Sequence, residues 1–420
     1  MSGTMERILR LMGEKKASDV YLSAHAPALI KINGQCVPIN NQLLPPDAPK
    51  ALLAEVLPEK RMEELEETGE LNMAHAIEGV GNFRFSAMRQ RGTYAAVIRY
   101  ITTDIPPLES LAVPMILGEL IMEKRGLLLM VGSTGAGKST TLAAMMDYRN
   151  ERASGHILTI EDPVEFLFKN KKSVVNQREV GSDTMSMQTA LKNALRQAPD
   201  VILIGEIRDM ETMEQAIAFS ETGHLCLSTL HANSASQTME RIINFFPEER
   251  RTQLLMDLSA NLRAIVSQRL VRREDGNGRS AAIEILLNTP TIAERIFQGQ
   301  FHEIKAIMSK SRELGMRTFD WALFELYNDG LISFEEAIRN ADSANELRLH
   351  IKLKSARGEP PVSAFMSLAL DEEPTPEQLE EQRHQEMLKQ QETRRRLEDE
   401  QLQQLREKKR LAEAAAAQPR

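Results

Sequence analysis

One eight-residue stretch constrains the fold of this chain more than any other. Residues 132–139 read Gly-Ser-Thr-Gly-Ala-Gly-Lys-Ser, which matches the pattern G-x-x-x-x-G-K-[ST]. The apolar run 127–131 comes directly before it and predicts a buried strand, and residues 140–146 can continue a helix. A strand, a glycine-rich loop and a helix in this order predict a phosphate-binding loop in an α/β fold.

Each residue type in this loop has a chemical reason. Glycines allow a tight turn in which backbone N–H groups converge on phosphate oxygens, and the positive end of the next helix points at the same place. We expect Lys138 to reach the β- and γ-phosphates and the Ser139 hydroxyl to bind Mg²⁺. The full match disfavours the alternative, a glycine-rich turn that binds nothing. The predicted contacts of the nucleotide are Gly132, Ser133, Thr134, Gly135, Ala136, Gly137, Lys138, Ser139 and Thr140.

Two acidic segments follow apolar, strand-like runs. Residues 161–165 read Glu-Asp-Pro-Val-Glu, and Glu206 follows a second run, with Gly205 standing where an aspartate is usual in a Walker B strand. Ligands of open α/β sheets bind beyond the carboxyl ends of the strands, so these carboxylates belong near the phosphates. Glu206 is predicted to coordinate the metal or to position it through water. The alternative role for carboxylates such as Asp162 and Asp209 is helix capping.

Two histidines, His224 and His231, bracket the apolar strand predicted over residues 225–230. Two histidines without cysteine neighbours make a weak metal site. We therefore expect them to sense the γ-phosphate of a bound nucleotide. The alternative for either residue is a buried structural histidine.

Composition narrows the classes of protein that remain. Hydrophobic residues make up 42% of the 420 residues, which is typical of a folded protein of two or three domains. The net charge of −8 disfavours nucleic acid as a partner, because binding it depends on neutralising phosphates. Two cysteines exclude a four-cysteine zinc module and indicate a reducing compartment. No secretory signal or apolar run of about 20 residues is present, so we expect a cytoplasmic protein without an integral membrane segment.

Changes in composition divide the chain into four parts. Residues 1–105 read as a mixed α/β unit, with strands near 20–22, 28–32, 84–88 and 94–100 and a helical stretch at 48–67. The proline pair after Ile105 predicts a linker at 106–112. In 113–355 strands and helices alternate, which predicts a parallel sheet, and residues from 245 onward read as mostly helical. The low-complexity tail 356–420 is predicted to be a charged, partly formed or disordered helix, with a partner-binding coiled coil as the alternative.

Four segments in order resemble a known family. The phosphate loop, residues 161–165, residues 205–209 (Gly-Glu-Ile-Arg-Asp) and residues 222–231 look like the Walker A, Asp box, Walker B and His box of the secretion ATPase superfamily. Within it, residues 1–355 resemble the retraction ATPases of type IV pili, PilT and PilU. The resemblance implies a PAS-like N-terminal domain, a RecA-like domain that hydrolyses ATP with Mg²⁺, and a ring of six subunits that acts on an inner-membrane platform protein of the pilus.

The resemblance also implies roles for individual side chains. Glu165 matches the catalytic base of the Asp box, and Glu206 matches the Walker B glutamate. Arg84 and Arg99 lie on the strands that supply nucleotide-contacting arginines in this family, and Arg91 lies in the loop between them. Without the family, both strand arginines could equally be exposed residues with no function.

One departure separates the two branches of retraction ATPases. Residues 291–298 read Thr-Ile-Ala-Glu-Arg-Ile-Phe-Gln, where the PilT branch has Ala-Ile-Arg-Asn-Leu-Ile-Arg-Glu. Residues 310–319, residues 330–333 and the charged tail are similar to the PilU branch. This implies an accessory motor that acts with PilT. A RecA-like nucleic-acid motor and a non-catalytic partner subunit of the PilT motor remain the alternatives.

Overall fold

Two β-sheets organise the described part of the protein. The computed structural model describes residues 3–32, 35–77, 80–101 and 104–358. Within these ranges, one sheet lies before residue 102 and the other lies after residue 125. The predicted fold class, a smaller α/β unit followed by a unit with a mainly parallel sheet, is confirmed. The predicted structure of the charged tail lies outside the described residues from position 359 onward.

The first sheet has six antiparallel strands, which are β1 (Asp19–Ser23), β2 (Pro27–Ile32), β3 (Gln35–Leu43), β4 (Glu70–Ile77), β5 (Gly81–Gln90) and β6 (Thr93–Ile101). Their order across the sheet is β3-β2-β1-β6-β5-β4, so β4 forms one edge. Three helices pack against it, which are α1 (Thr4–Lys15), α2 (Ala48–Ala54) and α3 (Glu59–Thr68).

Alternation along β5 shows how this sheet uses its two faces. Phe83 and Phe85 are fully buried and share a core with Leu53 of α2, whereas Arg84 between them is only partly buried. Side chains alternate between faces along a strand, so Arg84 lies on the face away from the helices. Its direct partner across the strands is Arg99 of β6.

The expectations for this unit were partly met. The four predicted strands correspond to β1, β2, β5 and β6, and a two-residue turn at Arg91 and Gly92 joins the last two. The predicted helical stretch is divided into α2 and α3, because Pro58 precedes Glu59 at the start of the second helix. Strands β3 and β4 were not predicted. Nearly every side chain of β3 is exposed, so it lacks the apolar alternation that marks a strand.

The division of the chain at a linker over residues 106–112 stays a prediction. Residues 104–107 have no regular structure, and a short 3₁₀ helix, Leu108–Leu111, follows them. Among the described residues, no helix is both long enough and apolar enough to cross a membrane.

The second sheet has seven strands, which are β7 (Gly126–Val131), β8 (Gly155–Glu161), β9 (Ser173–Glu179), β10 (Val201–Glu206), β11 (Leu225–Leu230), β12 (Leu262–Arg272) and β13 (Arg279–Leu287). Their order is β13-β12-β7-β11-β10-β8-β9, and all neighbours are parallel except β12 and β13. Between the first sheet and β12, the described residues form six α-helices, which are α4 (Ile116–Ile121), α5 (Lys138–Arg152), α6 (Met187–Ala194), α7 (Met210–Glu221), α8 (Ala235–Asn244) and α9 (Glu248–Asn261).

Helices cover both faces of this sheet. Leu127 and Leu129 of β7 pack on the side of α6 to α9, and Leu128 and Met130 pack on the side of α4 and α5. A strand that is buried on both faces reads as a continuous apolar run, which explains residues 127–131. Five further helices complete the unit, which are α10 (Pro290–Phe297), α11 (Ile304–Lys310), α12 (Phe319–Asn328), α13 (Phe334–Asn340) and α14 (Ala344–Lys354).

The prediction of mostly helical structure after residue 245 is wrong for one segment. Strands β12 and β13 form an antiparallel hairpin there, and β12 also pairs with β7. The sequence of β13, Arg-Ser-Ala-Ala-Ile-Glu-Ile-Leu-Leu, contains strong helix formers. Burial against the centre of the sheet overrides this local preference, and a short buried strand shows no period that separates it from a helix.

Candidate functional site

The glycine-rich loop joins the end of β7 to the start of α5. Its backbone has φ of 151° at Gly132 and 85° at Gly137, in the region that favours glycine. A Cβ atom on Gly132 would lie 2.5 Å from the carbonyl oxygen of Gln268, and one on Gly137 would lie 2.7 Å from its Nε2 atom. Gly132 is therefore required by conformation and by space, because its neighbour is a backbone oxygen, and Gly137 is required by its conformation. The loop leaves the first N–H groups of α5 free of helical partners, as an anion site requires.

The ammonium group of Lys138 rests on its own loop. Its Nζ atom donates hydrogen bonds to the carbonyl oxygens of Gly132, at 2.8 Å, and of Ser133, at 3.0 Å. Burial lowers the pKa of Lys138, while the negative charges of Glu206 and Glu165 act in the opposite direction. The cation is thus already placed at the loop, and phosphate oxygens can replace the two carbonyl oxygens as its partners.

A glutamine from the unpredicted hairpin braces the loop from behind. The Nε2 atom of Gln268, in β12, donates to the carbonyl oxygen of Ala136 at 2.9 Å, and its Oε1 atom accepts from the Thr141 hydroxyl at 2.9 Å. This side chain therefore links the loop to the second turn of α5. Sequence reasoning missed Gln268, because it lies in a segment that was predicted to be helical.

The acidic strand ends converge on the loop. A cavity of about 880 Å³ is lined by Lys138 and Ser139 together with Glu161, Glu165 and Glu206. Strands β8 and β10 lie in the same parallel sheet as β7, so their carboxyl ends meet at one edge. Glu165 is exposed within this cavity, as a side chain that contacts a water molecule must be. The structure thus brings the predicted carboxylates and the phosphate loop together.

Both carboxylate oxygens of Glu206 have partners. Its Oε1 atom lies 3.0 Å from Nε2 of His231, and its Oε2 atom accepts from Nε of Arg208 at 2.7 Å. Arg208 also lies 3.8 Å from the Asp162 carboxylate. These contacts tie the ends of β10 and β11 and the Asp-box segment together at the cavity.

The glycine in place of a Walker B aspartate has a spatial reason. A Cβ atom on Gly205 would lie 3.2 Å from Cα of Glu161 and 3.3 Å from the carbonyl oxygen of Ile160. The Glu161 side chain is itself buried, and burial raises its pKa to about 7. The Thr159 hydroxyl donates to it at 2.7 Å. An aspartate at position 205 would therefore crowd the backbone of β8 and add a charge beside a buried carboxyl.

Of the two predicted arginines, Arg99 lines the cavity. Its Nε atom donates to Oδ1 of Asp19 at 2.9 Å, and Asp19 is buried whereas the Arg99 side chain is 63% exposed. Arg84 lies directly across from Arg99 on the same face of the first sheet but does not line the cavity. Arg91 lies in the exposed hairpin turn.

The two histidines of the His box lie at opposite ends of β11. His231 lines the cavity, whereas His224 lies beside the first residue of β7, where its carbonyl oxygen accepts from N–H of Gly126. A six-residue strand is about 20 Å long, so His224 is not a contact for a nucleotide at the loop of its own chain. Its Nδ1 atom lies 3.1 Å from the Thr222 hydroxyl. His224 is only partly buried and does not line the cavity of its own chain, so its role in sensing a nucleotide stays a prediction.

The donors at the cavity suit magnesium. Ser139, Thr140 and Glu206 present hydroxyl and carboxylate oxygens, which are the ligands that Mg²⁺ prefers. Within the described ranges, no group of three or more histidine, cysteine, aspartate or glutamate side chains could hold a metal ion. A magnesium ion here fits only with further ligands from phosphate and water, which is its usual mode of binding beside nucleotides.

The cavity also has a wall that sequence reasoning missed. Five apolar side chains and one cation that follow β8 in the chain also line it, without any motif that marks them in the sequence. They are Phe166, Phe168, Met185, Met187, Leu270 and Arg279.

The chain is similar to a known protein family and to two pilus ATPases. Residues 67–339 match the family model described as Type II/IV secretion system protein. The type IV pilus ATPase PilU of Pseudomonas aeruginosa is 52% identical over 350 residues, which cover 83% of this chain and 92% of that protein. The type IV pilus retraction ATPase PilT of the same organism is 40% identical over 334 residues, which cover 80% of this chain and 97% of that protein.

A solved structure agrees with the sequence comparisons. The crystal structure of the pilus retraction motor PilT with bound ADP superimposes with a TM-score of 0.76 at 41% sequence identity. The match covers 81% of this chain and 98% of that one.

Proposed function

Because the chain belongs to the Type II/IV secretion system protein family, we propose that it is an ATP-hydrolysing motor that powers retraction of type IV pili. One observation carries the proposal. The phosphate loop, two strand-end glutamates, Glu165 just beyond β8 and an arginine of the other sheet line one cavity. This set can bind a triphosphate, activate water and offset the charge that develops during phosphoryl transfer.

Binding begins at the loop. Lys138 exchanges the carbonyl oxygens of Gly132 and Ser133 for phosphate oxygens, and the N–H groups at the start of α5 add further donors. Ser139 and Glu206 would hold Mg²⁺, which supplies positive charge against the phosphate oxygens. His231 and Arg208 keep the Glu206 carboxylate in place at the end of β10.

Hydrolysis needs a base and a cation on opposite sides of the reacting phosphate. Glu165 is an exposed carboxylate on the cavity wall, which suits it to orient a water molecule and to accept its proton. Arg99 belongs to the first sheet and can neutralise negative charge from that side. A nucleotide gripped by Lys138 and Arg99 together would join the two sheets, and its cleavage would release them.

This release is the step that converts hydrolysis to movement in our proposal. Six such chains in a ring could turn domain closure into work on a membrane platform protein of the pilus, with the ring held at the cytoplasmic face of the inner membrane. The 52% identity to PilU supports the role of an accessory motor that acts together with PilT.

The decisive experiment measures ATP turnover and twitching motility together. Purified full-length protein is assayed with Mg²⁺, alone and mixed with PilT, and the same alleles complement a strain that lacks this gene. Lys138→Ala should abolish turnover and motility, whereas Lys192→Ala, at a side chain that is 68% exposed, should behave as wild type.

Three outcomes contradict parts of the proposal. Wild-type turnover by Lys138→Ala would disprove the assigned loop. ATP binding without turnover, even with PilT present, would make the chain a non-catalytic subunit. Turnover that depends on added DNA would favour a nucleic-acid motor.

A further inference from the structure

A buried carboxylate outside the four motifs touches both the Asp-box segment and the first sheet. Glu179 is the last residue of β9, and only 5% of it is exposed. Its Oε2 atom accepts from N–H of Val164 at 3.1 Å, and its Oε1 atom accepts from N–H of Ala74 at 3.2 Å and from the Ser182 hydroxyl at 3.2 Å. Ala74 belongs to β4, the edge strand of the first sheet.

The geometry of β9 directs two side chains at the Asp-box segment. Gln177 and Glu179 are two residues apart on the strand, so they lie on one face. Gln177 donates to the carbonyl oxygen of Phe166 at 2.8 Å, while Glu179 holds the N–H group of Val164. Glu165 lies between these two anchored residues. The position of its carboxylate in the cavity therefore depends on both contacts.

The Glu179 backbone is fixed as well. Its N–H group donates to Oδ2 of Asp183 at 2.8 Å, and its carbonyl oxygen accepts from N–H of Asp183 at 2.8 Å. A buried carboxylate is costly unless its oxygens are hydrogen-bonded, and here three donors satisfy them. Movement of β4 away from β9 would remove one of these donors and leave the carboxylate underbonded, so the side chain must respond to the position of the first sheet.

We propose that Glu179 is a positioning residue that couples the location of the Glu165 carboxylate to the edge of the first sheet. The inference rests on the proposed function, in which Glu165 is the base for ATP hydrolysis. A small displacement of a catalytic group can lower a rate by up to about 100-fold, so a link of this kind can let closure of the two sheets switch hydrolysis on.

The first test replaces Glu179 in the full-length protein. In Glu179→Gln the amide has one acceptor oxygen, so the contact to Val164 or the contact to Ala74 must be lost. We expect kcat to fall about 10-fold or more, while the Kd for a fluorescent ATP analogue stays within about twofold of wild type. Unchanged kcat would overturn the inference, and so would an equal loss of affinity.

The matched control is a second buried carboxylate that accepts from backbone amides. Asp320 accepts from N–H of Asp342 at 2.7 Å and of Ser343 at 3.2 Å, among helices that do not line the cavity. Asp320→Asn should lower the urea midpoint of unfolding as Glu179→Gln does, yet retain turnover. If kcat falls equally in both variants, the effect on Glu179 is one of stability and the inference fails.

The second test removes only the donor on the first sheet. Because Glu179 accepts the N–H group of Ala74, that group points away from β5, and proline is tolerated at such edge positions. Ala74→Pro should lower kcat about 10-fold with little change in nucleotide affinity. Ala76→Pro, two residues along the same edge, should not. Equal activity of the two proline variants would overturn the coupling.

A double-mutant cycle shows whether Glu179 acts through Glu165. Residues that act as one unit are not additive, so Glu165→Gln combined with Glu179→Gln should hydrolyse ATP no more slowly than Glu165→Gln alone. If the double variant loses rate by the product of the two single losses, the inference is overturned. Wild-type turnover in the same assay distinguishes failure of this inference from failure of the proposed function. If the wild type hydrolyses no ATP even with PilT, the proposed function itself fails.

Discussion

The imidazole of His231 lies 3.0 Å from the carboxylate of Glu206, although the two residues are 25 positions apart in the chain. They end neighbouring parallel strands, β11 and β10. Because Arg208 takes the other carboxylate oxygen of Glu206, the histidine is one of two groups that orient this candidate ligand of magnesium.

We therefore expect His231→Ala to lower ATP turnover about 10-fold to 100-fold, as is usual when a partner of a metal ligand is removed. Steady-state hydrolysis at several Mg²⁺ concentrations measures the effect, and half-maximal turnover should need more Mg²⁺ than in the wild type. His302→Ala serves as the control, since the His302 side chain is 80% exposed and lies outside the cavity. Normal turnover and normal Mg²⁺ dependence in His231→Ala would contradict the role in orientation.

Glu165→Gln should separate binding from hydrolysis. The amide keeps the shape of the side chain but cannot accept a proton, so kcat should fall about 100-fold or more while ATP still binds. Equilibrium binding and phosphate release measure the two effects on the same preparation. Glu248→Gln, at an exposed position in the first turn of α9, is the control. A loss of ATP binding in Glu165→Gln would mean that the carboxylate has a structural role.

The two strand arginines should differ. Arg99 lines the cavity and Arg84 does not, although they face each other across β5 and β6. Removing a group that stabilises developing charge costs more in kcat than in binding, so Arg99→Ala should lower kcat about 10-fold or more. Arg84→Ala should lower kcat by a smaller factor. Equal losses in both variants would indicate that the first sheet closes further over the cavity than its position here.

The stability of the protein should fall as pH rises towards neutral. Burial raises the pKa of Glu284 to about 7, with the charge of Asp342 acting in the same direction and that of Arg269 against it. The native state then holds this proton more tightly than the unfolded chain does. The stabilisation is fully present below about pH 4.5 and is lost as pH rises to about 7, by at most about 3 kcal/mol.

Replacing Glu284 tests this origin of the pH dependence. Glu284→Gln cannot titrate but keeps an oxygen for the N–H group of Ala235 and the hydroxyl of Ser267. Urea midpoints at pH 5.5 and pH 7.5 should differ less in this variant than in the wild type. If the urea midpoint falls by the same amount in both proteins between these pH values, other groups cause the pH dependence. Buried Glu161 is one such group, because its pKa is also raised to about 7.

Much of the site could be predicted from the sequence because its chemistry is local. Glycines, Lys138 and Ser139 stand at fixed spacing after a buried strand, because phosphate binding needs free backbone N–H groups and a cation at the start of a helix. Glu165, Glu206 and His231 each come after an apolar run, and the carboxyl ends of parallel strands share an edge of the sheet. These residues could therefore be predicted without coordinates.

The tertiary structure alone decided which distant groups meet. Gln268 braces the phosphate loop from a hairpin that has strong helix formers, and Glu179 joins β9 to an edge strand that lies 105 positions earlier. His224 lies outside the site because the full length of β11 separates it from His231. Periodicity reports how one segment distributes its side chains. It carries no information on which segments pack together, because burial of apolar surface across the whole chain selects those contacts.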